Sequence, residues 1–138
     1  MTRQGEQGTV TAFVTCLTIA LLAVGGLVID GGYTLAARRR AFNEANAAAR
    51  SGAQAVDEAA IRAGEPPRIQ PARARTLAME HLRTAGLDGT VDATGDRVTV
   101  HVTTTQQMTI LGLVGVGPLT IRADGSARAV KGVKAGDN

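Results

Sequence analysis

A chain of 138 residues has room for one small folded domain and an additional helix, but not for two full domains. Cys16 is its one cysteine, so we expect neither an intrachain disulfide nor a cysteine-based metal cluster. The formal net charge is +3, but the only aromatic residues are two phenylalanines and one tyrosine. A basic face with stacking rings or a known motif is typical of nucleic-acid readers, and neither is visible here, so we expect no nucleic-acid partner.

The first feature along the chain is an uncharged apolar run, TVTAFVTCLTIALLAVGGLVI, at residues 9–29. As a helix this run is about 31 Å long, which matches a hydrocarbon core of about 30 Å. The rest of the chain is too small to enclose such a helix. We therefore predict a leader over residues 1–8 and a transmembrane helix over residues 9–30, in contact with the lipid bilayer. The alternative is a cleavable signal peptide, because Ala23-Val24-Gly25 resembles a small-residue cleavage site.

Asp30 ends the apolar run, and its charge has two interpretations. It is either a solvated carboxylate at the water interface or a membrane-edge charge that pairs with a cationic group of a partner. The charges nearby also bear on orientation. Arg38-Arg39-Arg40 follow the run, and by the positive-inside rule alone they favour a cytoplasmic C-terminal side.

Helical spacing continues beyond Gly31-Gly32 and predicts a helical stalk over residues 31–64. Along it, small and apolar residues recur at heptad spacing, and small side chains let two helices approach closely. This stripe packs either on the chain's own sheet or on other subunits. The candidate helix-packing residues are Phe42, Ala45, Ala49, Gly52 and Val56.

A small α+β domain is predicted over residues 65–130, followed by a flexible tail over residues 131–138. Helical periodicity within the domain predicts a second, short helix over residues 72–85. Gly86 is placed to adopt the left-handed conformation after that helix, with Leu87 closing a Schellman contact.

The period then changes to two, which is typical of half-buried strands. Residues 98–103 alternate valines with polar residues, and Gly95-Asp96 is a two-residue turn that pairs residues 90–94 with them. A further strand is predicted over residues 121–129. The predicted fold is α+β and pilin-like, with a long N-terminal helix, a short helix and a small antiparallel sheet of three to four strands.

Between these strands lies a second apolar segment, MTILGLVGVGPL, at residues 108–119. It is too short to cross a bilayer and is interrupted by glycines. It is either a buried connection of the core or an exposed apolar loop that touches a membrane or a partner.

Residue patterns with known chemistry are missing from the sequence. Gly112, Gly115 and Gly117 have neither the GxGxxG order nor a following GK[ST], so they do not predict a phosphate site. His81 and His101 lack metal-ligand spacing. We expect no catalytic residues, no metal, no cofactor and no small-molecule substrate.

Three N-terminal segments together resemble a known family. They are GTVTAF at residues 8–13, VIDGG at residues 28–32 and RAFNEANAAARSGAQA at residues 40–55. They look like the N-terminal module of TadE/TadG-like Flp (tight-adherence) pilus assembly proteins. The LGLVGVG loop and the strands on either side of it also resemble the short C-terminal domains of actinobacterial members.

The resemblance implies a membrane-anchored minor pilin-like subunit or an accessory factor in pilus assembly, which packs its helix against other pilin-like subunits and the assembly machinery. It implies a cytoplasmic N-terminus and an extracytoplasmic domain, against the arginine count. It also makes Gly8 a candidate processing glycine, although Phe13 stands where prepilin sites carry glutamate. The alternative function is a secreted or envelope-bound, non-catalytic binding module with an N-terminal signal peptide.

Overall fold

The computed structural model describes residues 4–129, with side chains from residue 8 onward. Residues 1–3 of the predicted leader and the predicted tail lie outside this range. The internal contacts divide the chain into two compact units. Among the described residues, unit 1 comprises the chain up to Ala36 together with Gln106–Leu119, and unit 2 comprises Ala37–Thr105 and the residues from Thr120 on.

The first element is the long helix α1, Gln4–Ala53. No proline interrupts this stretch, and the threonines in its apolar run bond back to the helix. The hydroxyls of Thr15 and Thr18 each donate to the carbonyl four residues earlier, on Thr11 and Val14, at 2.8 Å. Their polar groups are therefore satisfied within the helix, as an apolar environment requires.

The helix ends at Ala53, earlier than the stalk predicted over residues 31–64. After a short break, a new short helix, α2 (Glu58–Arg62), begins. Asp57 is its N-cap and accepts hydrogen bonds from the backbone N–H groups of Ala59 and Ala60. The capping preference of Asp57 thus interrupts a stretch that heptad spacing alone makes look continuous.

Helix α3 spans Pro71–Ala85, which confirms the predicted second helix. Gly86 follows it with φ at 69°, in the left-handed region. The N–H of Gly86 donates to the carbonyl of Arg83 at 3.0 Å, and the N–H of Leu87 donates to that of Leu82 at 3.0 Å. This pair of bonds is the predicted Schellman motif.

Three strands form one antiparallel sheet in the order β1 (Asp88–Thr94), β2 (Arg97–Gln106) and β3 (Leu119–Arg128). The two residues between β1 and β2 form the predicted turn, in which Gly95 has φ at 60°. The chain is α+β, as predicted, and its sheet has the lower of the two expected strand numbers.

The core of unit 2 lies between one face of this sheet and the helices α1 and α3. Its side chains are mostly alanine and valine, so the helices pack closely on the strands. A Cβ at Gly125 would overlap the backbone of Ala45 and Asn46, which shows how closely β3 and α1 approach. The fully buried core residues are Ala45, Ala48, Ala49, Ala55, Ala74, Ala78, Val98 and Val100.

Candidate functional site: the apolar helix and its loop

The part of α1 that belongs to unit 1 exposes a continuous apolar surface. Its large apolar side chains between residues 10 and 29 are each between 46% and 70% exposed. An exposed apolar surface of this extent marks contact with a membrane or a protein. These side chains are Val10, Phe13, Val14, Leu17, Ile19, Leu21, Leu22, Val24, Leu27, Val28 and Ile29.

Among the described residues, one helix is long and apolar enough to cross a membrane, and it lies in α1 over Gly8–Ala53. Its most apolar window has a mean hydropathy of 2.5, and only 6% of that window is buried. The core helix of a soluble protein has a similar composition but is mostly covered by its own chain, and this window is not. By length and composition the helix fits a membrane span, and a signal sequence near the N-terminus meets the same criteria.

Residues 107–118, here named the apolar loop, connect β2 to β3 and belong to unit 1 with the N-terminal part of α1. They contain a short 3-10 helix, Leu111–Val114. Leu113 and Val114 at its end are 86% and 77% exposed. The tip of the loop is therefore an exposed apolar surface, the second of the two alternatives that the sequence left open.

Asp30 joins the apolar loop to α1. Its carboxylate is buried, with 2% of the residue exposed. Oδ1 accepts from the N–H of Thr109 at 3.0 Å, Oδ2 accepts from Leu111 at 2.7 Å, and Ile110 donates to both, at 3.3 and 3.0 Å. These N–H groups stand at the start of the 3-10 helix, where they have no partner within it and where a negative charge is favourable.

Gly26, one turn before Asp30, allows the apolar loop to lie close against α1. Gly26 is buried, and a Cβ there would lie 2.7 Å from Cγ2 of Ile110. At the preceding Gly25, a Cβ would meet nothing within 4 Å. Only one glycine of the pair is thus needed for packing against the loop.

Between the loop and α1 lies an apolar cleft of about 540 Å³, entirely within unit 1. On one side it is lined by α1 from Ile19 to Ile29, and on the other by Ile110, Leu111, Leu113 and Val114. No ionisable side chain lines it, so it suits an apolar occupant and offers nothing to orient a polar substrate.

A comparison with known protein families gives a match to the part of the chain that contains Gly26 and Asp30. Residues 8–55 match the family described as putative Flp pilus-assembly TadE/G-like. The family recognised from the sequence is thereby confirmed for this segment, which contains both Gly26 and Asp30. Residues 56–138 lie outside the match. No match was found among curated proteins, and none among solved structures.

Four of the five candidate helix-packing residues, all except Val56, lie in the C-terminal part of the TadE/G-like segment. Ala45 and Ala49 are fully buried in unit 2. A Cβ at Gly52 would lie 2.9 Å from the carbonyl oxygen of Ala74 and 3.1 Å from Cγ1 of Val98. These three residues pack on the chain's own α3 and sheet, the first of the two alternatives stated for the stripe.

The other two candidate helix-packing residues, Phe42 and Val56, are not among the buried core residues. Phe42 is 54% exposed on α1. Val56 follows the end of α1 and forms an isolated antiparallel bridge with Ile69. The structure therefore does not bring the five residues of the predicted seam onto one surface. Phe42 is exposed where Ala45 and Ala49 are buried, and Val56 lies beyond the end of α1 at Ala53. The candidate processing glycine of the TadE/G-like segment, Gly8, lies inside α1.

Three contacts made by the two histidines were not evident from the sequence. On the open face of the sheet, Nδ1 of His101 lies 2.7 Å from Oδ1 of Asp124, and its Nε2 lies 3.9 Å from Oδ2 of Asp92. Between α3 and the TadE/G-like segment, Nε2 of His81 lies 2.9 Å from Oε2 of Glu44. Over residues 4–129, no group of histidine, cysteine and carboxylate side chains has a metal-binding arrangement.

Proposed function

We propose that this protein is a membrane-anchored minor pilin-like subunit or accessory factor in the assembly of Flp/Tad-type surface pili, and that it acts by helix packing with partner subunits. One observation carries the proposal. The segment that matches the family, residues 8–55, is the same segment in which α1 exposes an uncharged apolar surface about one bilayer long. The proposal contains no catalytic step.

In this proposal the N-terminus is cytoplasmic and the sheet domain is extracytoplasmic, as in the family that the segment resembles. The arginines after the apolar run are compatible with that orientation. Arg38-Arg39-Arg40 follow Ile29 by about 2.5 helical turns, so they lie beyond the boundary of a span that ends near Asp30.

Contacts with partner subunits are assigned to the parts of α1 that the chain leaves uncovered. Ala45, Ala49 and Gly52 already contact the chain's own core. Phe42 is 54% exposed and remains available, as does the apolar surface over residues 10–29. A large exposed aromatic side chain is a frequent anchor of protein interfaces.

Photocrosslinking in cells tests the partner contact. A photoreactive phenylalanine analogue at Phe42 keeps the ring in place, and the same analogue at Arg75, which is exposed on α3, is the matched control. We expect adducts with other membrane-anchored pilin-like proteins from position 42 and none from position 75. No adduct from position 42, or the same adducts from both positions, would contradict the proposal.

The second candidate function is the secreted or envelope-bound binding module. It is favoured by the position of the apolar segment near the N-terminus, where a signal sequence can meet the same criteria of length and apolar composition as a membrane span. The two functions differ in the mature chain. A mature N-terminus near Gly26 would support the secreted module, and a chain that retains its apolar run would support the anchored subunit.

A further inference from the structure

The apolar loop has a composition unlike that of a water-exposed connection. No aspartate, glutamate, lysine, arginine or histidine occurs within Gln106–Leu119. Leu113 and Val114 are nevertheless 86% and 77% exposed. Neither the loop nor the part of α1 that it contacts covers these two side chains, so an apolar environment outside unit 1 is the one that suits them.

Six N–H groups of the loop backbone are bonded within unit 1. The N–H groups of Thr109, Ile110 and Leu111 donate to Asp30. Those of Leu113, Gly115 and Val116 donate to carbonyls within the loop, at 3.0 to 3.1 Å. An N–H group without a partner is costly in a bilayer because no water replaces the lost hydrogen bond. These six donors therefore need no water.

The surface of α1 that faces the apolar loop indicates which environment fills the cleft between them. The cleft is lined on the α1 side by residues from Ile19 to Ile29, which lie in the half of the apolar run nearest Asp30. The cleft is thus continuous with the surface that the proposed function places in lipid. Its lining has no charged or hydrogen-bonding side chain, so an apolar occupant such as an acyl chain suits it.

We infer that the apolar loop is a second membrane-contacting element, which enters the leaflet beside the Asp30 end of α1 and whose cleft is filled by lipid acyl chains. This inference rests on the proposed anchoring of α1. Asp30 and Gly26 hold the loop against the helix, and Leu113 and Val114 extend the lipid-facing surface.

Fluorescence quenching of the full chain in vesicles of phosphatidylcholine and phosphatidylglycerol tests this inference. In a Cys16→Ser background, single cysteines replace Leu113 in the loop, Leu22 in α1 and Ser126 on the polar face of β3, and each carries an environment-sensitive label. We expect a quencher attached to the lipid acyl chains to reduce the emission of the labels at positions 22 and 113. Iodide in the buffer should quench only the label at position 126.

The remaining outcomes separate the two proposals. If the label at position 22 responds to lipid and that at position 113 responds to iodide, the loop inference is wrong and the anchoring stands. If the label at position 113 is blue-shifted but responds to neither quencher, protein rather than lipid covers the loop, and the lipid assignment is overturned. If the label at position 22 responds to iodide, both the anchoring and the loop inference fail.

Discussion

The carboxylate of Asp30 accepts a hydrogen bond from the backbone N–H of Leu111 at 2.7 Å, between residues 81 positions apart in the chain. Through this bond and those to the two preceding N–H groups, a residue at the end of the apolar run fixes the start of the 3-10 helix. The loop conformation therefore depends on a side chain of α1 as well as on its own sequence.

Replacing Asp30 by asparagine tests this dependence. Asp30→Asn removes the charge and leaves one acceptor oxygen for three N–H groups, so at least one of them loses its partner. We expect faster hydrogen–deuterium exchange at the amides of Thr109, Ile110 and Leu111. The exchange of β1 and β2 amides should stay the same.

Asp57→Asn is the matched control for that change, because Asp57 also accepts hydrogen bonds from backbone N–H groups, at the start of α2. Both bonds go to the same oxygen, and asparagine keeps that acceptor, so exchange in α2 should change little and exchange in the apolar loop not at all. Unchanged protection of Leu111 in Asp30→Asn would show that the carboxylate does not hold the loop.

The paired glycines of α1 give a second test of loop packing. In Gly26→Leu the new side chain meets Ile110, and overpacking of this kind costs about 1–3 kcal/mol. In Gly25→Leu the Cβ enters open space, and the cost is absent. We expect exchange in the apolar loop to rise in the first variant only, and equal exchange in both would contradict the assigned packing.

Gly125 tests the contact between β3 and α1 in unit 2. Gly125→Ala places a Cβ against the backbone of Ala45 and Asn46, which cannot move aside as a flexible side chain would. We expect a loss of about 2–3 kcal/mol in the free energy of unfolding. Ser126, the exposed neighbour, provides the control. Ser126→Ala should change the free energy of unfolding by less than about 0.5 kcal/mol. Thermal unfolding in detergent measures both, and similar melting temperatures would disprove the close approach.

Phe42 separates association from folding. Because its ring is 54% exposed, Phe42→Ala should change the free energy of unfolding by less than about 0.5 kcal/mol. Because the ring anchors the proposed interface, fewer partner subunits should co-purify with the Phe42→Ala protein than with the unmodified protein. Undiminished recovery would remove Phe42 from the interface.

Local signals in the sequence were sufficient for much of the fold. Helix α3, its end at Gly86 and the Gly95-Asp96 turn were predicted, because a proline, a glycine or an alternating period specifies each over a few residues. The alternation in β3 is also present, with Ile121 and Ala123 on the buried face.

Features that depend on distant residues were not predicted. The partners of Asp30 come from a loop about eighty positions away, and the heptad spacing gave no warning that α1 ends at Ala53. The signal for that end was present in Asp57 followed by Glu58, an N-cap and an acidic first turn, although it competed with a continuing helical period. The burial of Ala45 and Ala49 required knowledge of which helix the sheet packs on.

The central claim is that α1 stays in the chain and anchors it in a membrane. Intact-mass and N-terminal mass spectrometry of protein recovered from alkaline-washed cell membranes tests it most directly. We predict recovery in the membrane fraction of a chain that retains residues 9–30. Recovery only in the soluble or secreted fraction, with a mature N-terminus near Gly26, would contradict it.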